Sequence, residues 1–245
     1  MWRTAAVALA AGAAAAFGAF GDVISSFAAP GSNCTGLAYD GTYIYSLYED
    51  QSYPGGGWVY KINPGTGSVI MSFGVANVPP MLPSWDGLAY HNDTIYEGRC
   101  MIDWIFEWTT GGSLISSWGC GWYHTGLTYW EGVGLLGGDH EQQPQHLVTL
   151  PPGEPYITLV APANEFGNDG VYLYASGSSV VRKYTTAGSV ADSAALPVSG
   201  TGCDYGGGYL WVGGGSPPYI YKLNPVSVYE GLAPASWGRI KATFR

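Results

Sequence analysis

Charge is scarce in this chain. Of 245 residues only 9 are Lys or Arg and 18 are Asp or Glu, so charged residues make up 11% of the whole. Long disordered segments are rich in polar and charged residues. This composition excludes them and leaves a packed domain. The excess of acidic over basic residues gives no reason to expect a nucleic-acid partner. Cysteine is sparse as well: there are four residues and no Cys-x-x-Cys pair, which argues against zinc-finger and thiol-redox sites. Beyond the N-terminus no segment approaches the roughly 20 apolar residues needed to span a bilayer. No diagnostic catalytic motif occurs. What is abundant is glycine, 38 residues, and aromatic residues at 15%, the turn formers and strand formers of a β-rich domain.

One phrase recurs. Gly36-Leu37-Ala38-Tyr39-Asp40-Gly41-Thr42-Tyr43-Ile44-Tyr45 returns as Gly87-Leu88-Ala89-Tyr90-His91-Asn92-Asp93-Thr94-Ile95-Tyr96, and as Gly126-Leu127-Thr128-Tyr129. It degrades at Glu165-Phe166-Gly167 and again at Gly202-Cys203-Asp204-Tyr205. A period of about 40 residues holding several short strands predicts a β-propeller. Four pieces fill each period: the Gly-Leu-Ala-Tyr strand, an Ile-Tyr strand after an Asp-Gly turn, a strand like Trp58-Val59-Tyr60-Lys61-Ile62, and an outer one like Val69-Ile70-Met71-Ser72-Phe73. The fifth period has no fourth piece. Asp22-Val23-Ile24-Ser25-Ser26-Phe27 matches the missing strand, so the spacing predicts an all-β, single five-bladed propeller over 22–225, closed by the N-terminal strand. Closure removes exposed sheet edges. Tyr45, Tyr96, Tyr174 and Trp211 hold equivalent positions, which suits packing between blades.

The Gly-Leu-Ala-Tyr strand, the Ile-Tyr strand and the Ile62-Asn63-Pro64-Gly65-Thr66-Gly67 turn resemble the NHL, YVTN and gluconolactonase-like group of propellers. The resemblance spans roughly 22–225. It implies the fold and leaves function open, since one scaffold carries many activities.

The ends differ from the repeat. Met1-Trp2-Arg3 followed by an Ala-rich run to Phe20, with small residues at Ala19 and Gly21, has the layout of a secretory signal peptide over 1–21, cleaved before Asp22. The alternative is a membrane anchor, for which the run is short. Export places the protein outside the cell or at its surface, with no transmembrane segment in the mature chain. Residues 226–245 form a tail carrying Arg239, Lys241 and Arg245 against Glu230 alone, whereas the other 17 of the 18 acidic residues lie before it. That asymmetry suggests a sorting or docking segment, including self-association. A frayed terminus is the plainer alternative.

An exported chain uses cysteines as disulfides. Cys34 and Cys203 start the first strands of blades that neighbour each other in a closed ring, and Cys100 and Cys120 lie in the second-to-third-strand loop and exit loop of one blade. The pairings 34–203 and 100–120 are expected.

Loops joining the second and third strands open on one face, together with those linking blades. They gather Glu49, Asp50, Tyr53, Asp86, Asp103, Tyr123 and His124, which are candidates for binding a carbohydrate or a protein. The densest polar stretch contains Asp139, His140, Glu141 and His146, ligand types suited to a divalent metal; no other cofactor is suggested. The spacing matches no named metal motif, and a solvated polar loop is the plain alternative. First-strand positions expected on the central channel are Thr35, Asp86, Thr125, Asn164 and Thr201, of which Asp86 alone is charged. The favoured function is a secreted or surface binding or structural propeller. The alternative is an extracellular hydrolase of glycosidase or lactonase type, with a metal at His140 and His146 as an optional aid, because paired carboxylates such as Glu49 and Asp50 invite glycoside hydrolysis.

Overall fold

A computed structural model of the protein describes residues 18–31, 33–49, 57–75, 87–99, 103–121, 124–139, 145–150 and 155–226. Within these lie twenty strands and no helix. An N-terminal strand β1 (Val23–Ala28) is followed by blade one: β2 (Cys34–Tyr39), β3 (Ile44–Glu49), β4 (Gly57–Ile62) and β5 (Val69–Val75). Blade two comprises β6 (Gly87–His91), β7 (Thr94–Arg99), β8 (Trp104–Thr109) and β9 (Leu114–Gly119). Blade three comprises β10 (His124–Trp130), β11 (Gly134–Asp139), β12 (His146–Leu150) and β13 (Pro155–Thr158). Blade four comprises β14 (Glu165–Asn168), β15 (Leu173–Gly177), β16 (Val180–Tyr184) and β17 (Val190–Ala195). Blade five holds β18 (Gly200–Gly206), β19 (Tyr209–Gly214) and β20 (Tyr219–Leu223).

Each blade is a four-stranded antiparallel sheet, and the fifth takes β1 as its outer strand, in the order β1-β20-β19-β18. The inner strands β2, β6, β10, β14 and β18 touch in ring order, with β18 returning to β2. The chain is therefore a five-bladed β-propeller closed by its N-terminal strand.

Local chemistry builds the hairpins. Asp40 Oδ1 accepts the N–H groups of Thr42 and Tyr43 at 2.8 and 2.6 Å, while its Oδ2 accepts the Tyr45 hydroxyl at 2.9 Å. Asp169 repeats this with Val171, Tyr172 and Tyr174 at 2.8, 2.6 and 2.9 Å. Gly41 and Gly170 follow at φ 91° and 84°, which a side chain rarely adopts. An aspartate that caps the turn and holds the second-strand tyrosine explains why Asp-Gly recurs with Tyr five residues on.

Between blades the second-strand aromatic stacks on the first-strand tyrosine of the next blade. Tyr96 meets Tyr129 at 6.1 Å, Tyr174 meets Tyr205 at 5.4 Å, and Trp211 meets Tyr39 at 6.2 Å. The equivalent aromatic positions thus pack the blade interfaces. Outer strands instead leave apolar side chains such as Ile24, Ile70 and Ile115 half exposed.

One expectation meets a correction here. Cys34 and Cys203 are separate buried thiols. Cys34 lies in the layer between blades five and one, beside Leu37, Trp211 and Ile220. Cys203 lies in the layer between blades four and five, beside Tyr174, Val181 and Leu196. The sheet of blade five stands between them, so no 34–203 bond forms. Burial raises both thiols, Cys34 to about 12 and Cys203 well above the ordinary thiol range. The 100–120 pairing involves Cys100, which is outside the described residues. Phe20 joins the packing between blades. It lies inside the expected leader, yet it is buried against Tyr174, and its neighbour Gly21 donates its N–H to the Asn224 carbonyl at 2.8 Å.

Candidate functional site

The loop face was expected to carry the site, and only part of it falls within the described residues. Asp50, Tyr53, Asp86, Tyr123, His140 and Glu141 lie outside them, as does the tail after Val226, and Glu49 is described only as the last backbone position of β3. Of the rest, His124 and Asp139 are brought together as cross-strand partners at the start of β10 and the end of β11, both buried. His124 Nδ1 lies 3.4 Å from Cys120 Sγ. The ring enters space that Gly98 leaves open, since a Cβ there would stand 2.4 Å from Nε2. His146 Nδ1 is instead 2.9 Å from Thr158 Oγ1 at the edge of its blade. Asp103 sits at φ 55° with Oδ1 buried and without a hydrogen-bond partner among the described residues, and burial raises its carboxyl pKa. No group of three His, Cys, Asp or Glu able to hold a metal assembles among the described residues.

The axis carries an acidic residue outside the expected channel-facing positions. Where the other four blades begin with Gly36, Gly87, Gly126 and Gly202, blade four begins with Glu165, which is 1% exposed. A Cβ added to Gly87 would lie 2.7 Å from Glu165 Oε1 and 2.6 Å from the backbone of blade three. The carboxylate of blade four therefore reaches past blade three to the innermost strand of blade two. Beside this axis Thr125 Oγ1 accepts from Gln145 Nε2 at 2.9 Å, and Thr35 Oγ1 is buried with no partner among the described residues. The aligned repeat contained this signal in the one acidic residue at a glycine position.

A cleft lies between blades two and three. It is an open groove of about 520 Å³ lined by Tyr96, Glu107, Trp118, Tyr129, Leu135 and Leu150 with the backbones of Gly119 and Gly134. Its floor continues into the apolar layer of Ala89, Leu127, Leu135 and Val148. Glu107 projects from the middle of β8 and is fixed on both oxygens: Trp118 Nε1 donates to Oε1 at 2.9 Å and Ser116 Oγ donates to Oε2 at 2.8 Å. The Tyr96 phenol is raised first by burial, then by the Glu107 charge and by Tyr129. Tyr129 is itself held by His91, whose ring stacks on it at 3.6 Å and 6°. Three aromatic walls and one pre-oriented carboxylate can stack on a ligand and accept hydrogen bonds from it.

Solved structures share this architecture. The glutaminyl cyclase of Myxococcus xanthus superimposes with a TM-score of 0.65 at 15% identity, covering 83% of this chain and 95% of that one. A nidogen–laminin complex gives 0.49 at 13% identity, with 73% and 71% covered. Virginiamycin B lyase from Staphylococcus aureus gives 0.43 at 13%, with 78% and 66% covered. What the cyclase shares with this chain is the fold. At such identities the likeness reaches no further. No family model and no characterised protein sequence matches the chain.

Proposed function

We propose that this chain is an exported binding propeller that holds its ligand, a carbohydrate or a protein at the cell surface, in the groove between blades two and three. The observation that carries this reading is the pre-oriented Glu107 among the rings of Tyr96, Trp118 and Tyr129. Aromatic faces and a fixed acceptor on rigid strands supply recognition. Glycoside hydrolysis asks for two carboxyls flanking one bond, and the groove lining contributes one. The expected polar loops belong to the same molecule and leave the hydrolase alternative open to a direct test.

Arrays of glycans and of surface proteins probed with the wild type and Trp118→Ala test the proposal. The wild type is expected to retain ligands that the variant loses, and the recovered ligands are expected to be unchanged by mass. Turnover that disappears in Asp86→Asn or His140→Ala would overturn the reading in favour of an enzyme. The basic tail, by the same proposal, sorts the protein or docks it on another subunit. Truncation after Val226 then leaves the melting temperature nearly unchanged while assembly or surface retention is lost, and a truncated chain that unfolds contradicts that role.

A further inference from the structure

The third strands of blades one, four and five carry a repeated positive charge that blade two reverses. Lys61, Lys183 and Lys222 face Tyr45, Tyr174 and Trp211 across the second and third strands of blades one, four and five. Each ammonium lies over rings of its own blade. Lys61 Nζ is 4.4 Å from the Tyr43 centroid and 5.2 Å from Tyr45. Lys183 Nζ is 3.9 Å from Tyr172 and 5.9 Å from Tyr174, and Lys222 Nζ is 3.4 Å from Tyr209 and 5.5 Å from Trp211. These are cation–π contacts built into the repeat.

In blade two the same cross-strand pair is Tyr96 and Glu107. Blade two keeps the ring, lacks the built-in cation and places a carboxylate where the cation would start. The first ring is missing too, since Thr94 stands where blades one, four and five have Tyr43, Tyr172 and Tyr209. Beside this pair lies the groove, walled by Trp118 and by Tyr129 from the next blade. Glu107 makes no ion pair among the described residues, whose ion pairs are Lys61–Asp40, His91–Glu131 and Arg99–Glu97.

We propose that the groove takes an aliphatic ammonium group from outside: a lysine side chain of a partner protein, lying over Tyr96 and paired with Glu107. The inference rests on the binding reading above and narrows its ligand. Three features converge on it. The charge is complementary and uncommitted. The carboxylate is held by Trp118 and Ser116 through one lone pair on each oxygen, which leaves a further acceptor position on each. Leu135 and Leu150 give the four-carbon stem of a lysine an apolar wall to lie along while its head stays polar.

Ligand-observed NMR titrations on the full chain test this with Nα-acetyl-lysine methylamide, tetramethylammonium and the neutral Nα-acetyl-norleucine methylamide. Both cations are expected to bind and the neutral analogue to bind at least tenfold more weakly, with affinity falling as salt rises. Glu107→Gln should weaken the cations about tenfold, in keeping with the loss of one charge pair beside an aromatic ring. Glu107→Lys should abolish their binding by installing the arrangement of blades one, four and five. Unchanged melting curves of the two variants establish that the fold is intact; if Glu107→Lys melts early, Glu107→Gln alone decides. Equal binding of the neutral analogue, or cation binding undiminished in Glu107→Gln, overturns the inference. If array ligands bind in a Trp118-dependent way while neither cation binds, this inference falls and the binding reading stands. If nothing binds through Trp118, both fall.

Discussion

Tyr39 in blade one donates its backbone N–H to Oδ2 of Asp204 in blade five at 2.6 Å, so a partly buried carboxyl group ties the last blade to the first. Its Oδ1 accepts the Tyr205 N–H at 2.8 Å. Burial outweighs these two donors and raises Asp204 to about 8. Glu97, buried in blade two beside Arg99 and Trp108, is raised for the same reason. Asp204 holds a proton in the fold that the unfolded chain releases near pH 4. Its contribution to stability is complete below that value and is lost as pH rises toward about 8. The melting temperature is expected to fall by on the order of 10 °C between pH 5 and pH 9. Asp204→Asn, which keeps an acceptor for Tyr39, should flatten most of that slope. A melting temperature that rises over this interval contradicts the assignment.

Phe20 and β1 make the second prediction. Phe20 is 5% exposed and stacks on Tyr174 at 6.3 Å, filling the layer between blades four and five. A chain beginning at Asp22 loses that ring, and a buried Phe removed from a core costs about 3–5 kcal/mol. Denaturant melts of chains beginning at Gly18, Asp22 and Ala29 should show a stepwise loss. The last of these lacks β1 and exposes β20 as an open edge. Equal stability for all three would contradict closure by the N-terminal segment.

The axial glycines make the third. A Cβ on Gly87 would stand 2.6 Å from both the Gly126 Cα and the Leu127 N, and backbone cannot yield as a flexible side chain does. Gly87→Ala is expected to destabilise by about 1–3 kcal/mol or more, whereas Gly132→Ala, with nothing within 4 Å, carries only the strain of φ 78°. Thermal melts of the two variants decide it, and a Gly87→Ala protein at least as stable as Gly132→Ala contradicts the packed axis.

The blades were legible because each carries its own marker. The Asp-Gly turn and the tyrosine five residues on recur for a physical reason, the shared capping by Asp40 and Asp169. Closure was legible because Val23–Ala28 repeats the pattern of β9. The disulfide between Cys34 and Cys203 was misread: adjacency of blades in a ring does not say that two side chains enter the same layer, and these enter different ones. The groove was missed for a related reason. Glu107 is a strand residue rather than a loop residue, and its meaning emerges only when it is aligned with Lys61, Lys183 and Lys222. Glu165 was likewise visible as the odd residue among the blade-opening glycines, but that it reaches Gly87 across the axis needed coordinates.

The central claim, that ligand enters between blades two and three, is tested most directly by the indole N–H resonances of the tryptophans. Trp118 lines the groove and donates to Glu107, whereas Trp58 and Trp104 are exposed elsewhere at 44% and 42% and serve as internal controls. Titration of the labelled protein with a ligand from the arrays should shift the Trp118 signal in a saturable way and leave the other two in place. Saturation that moves Trp58 or Trp104 while Trp118 stays fixed would contradict the account.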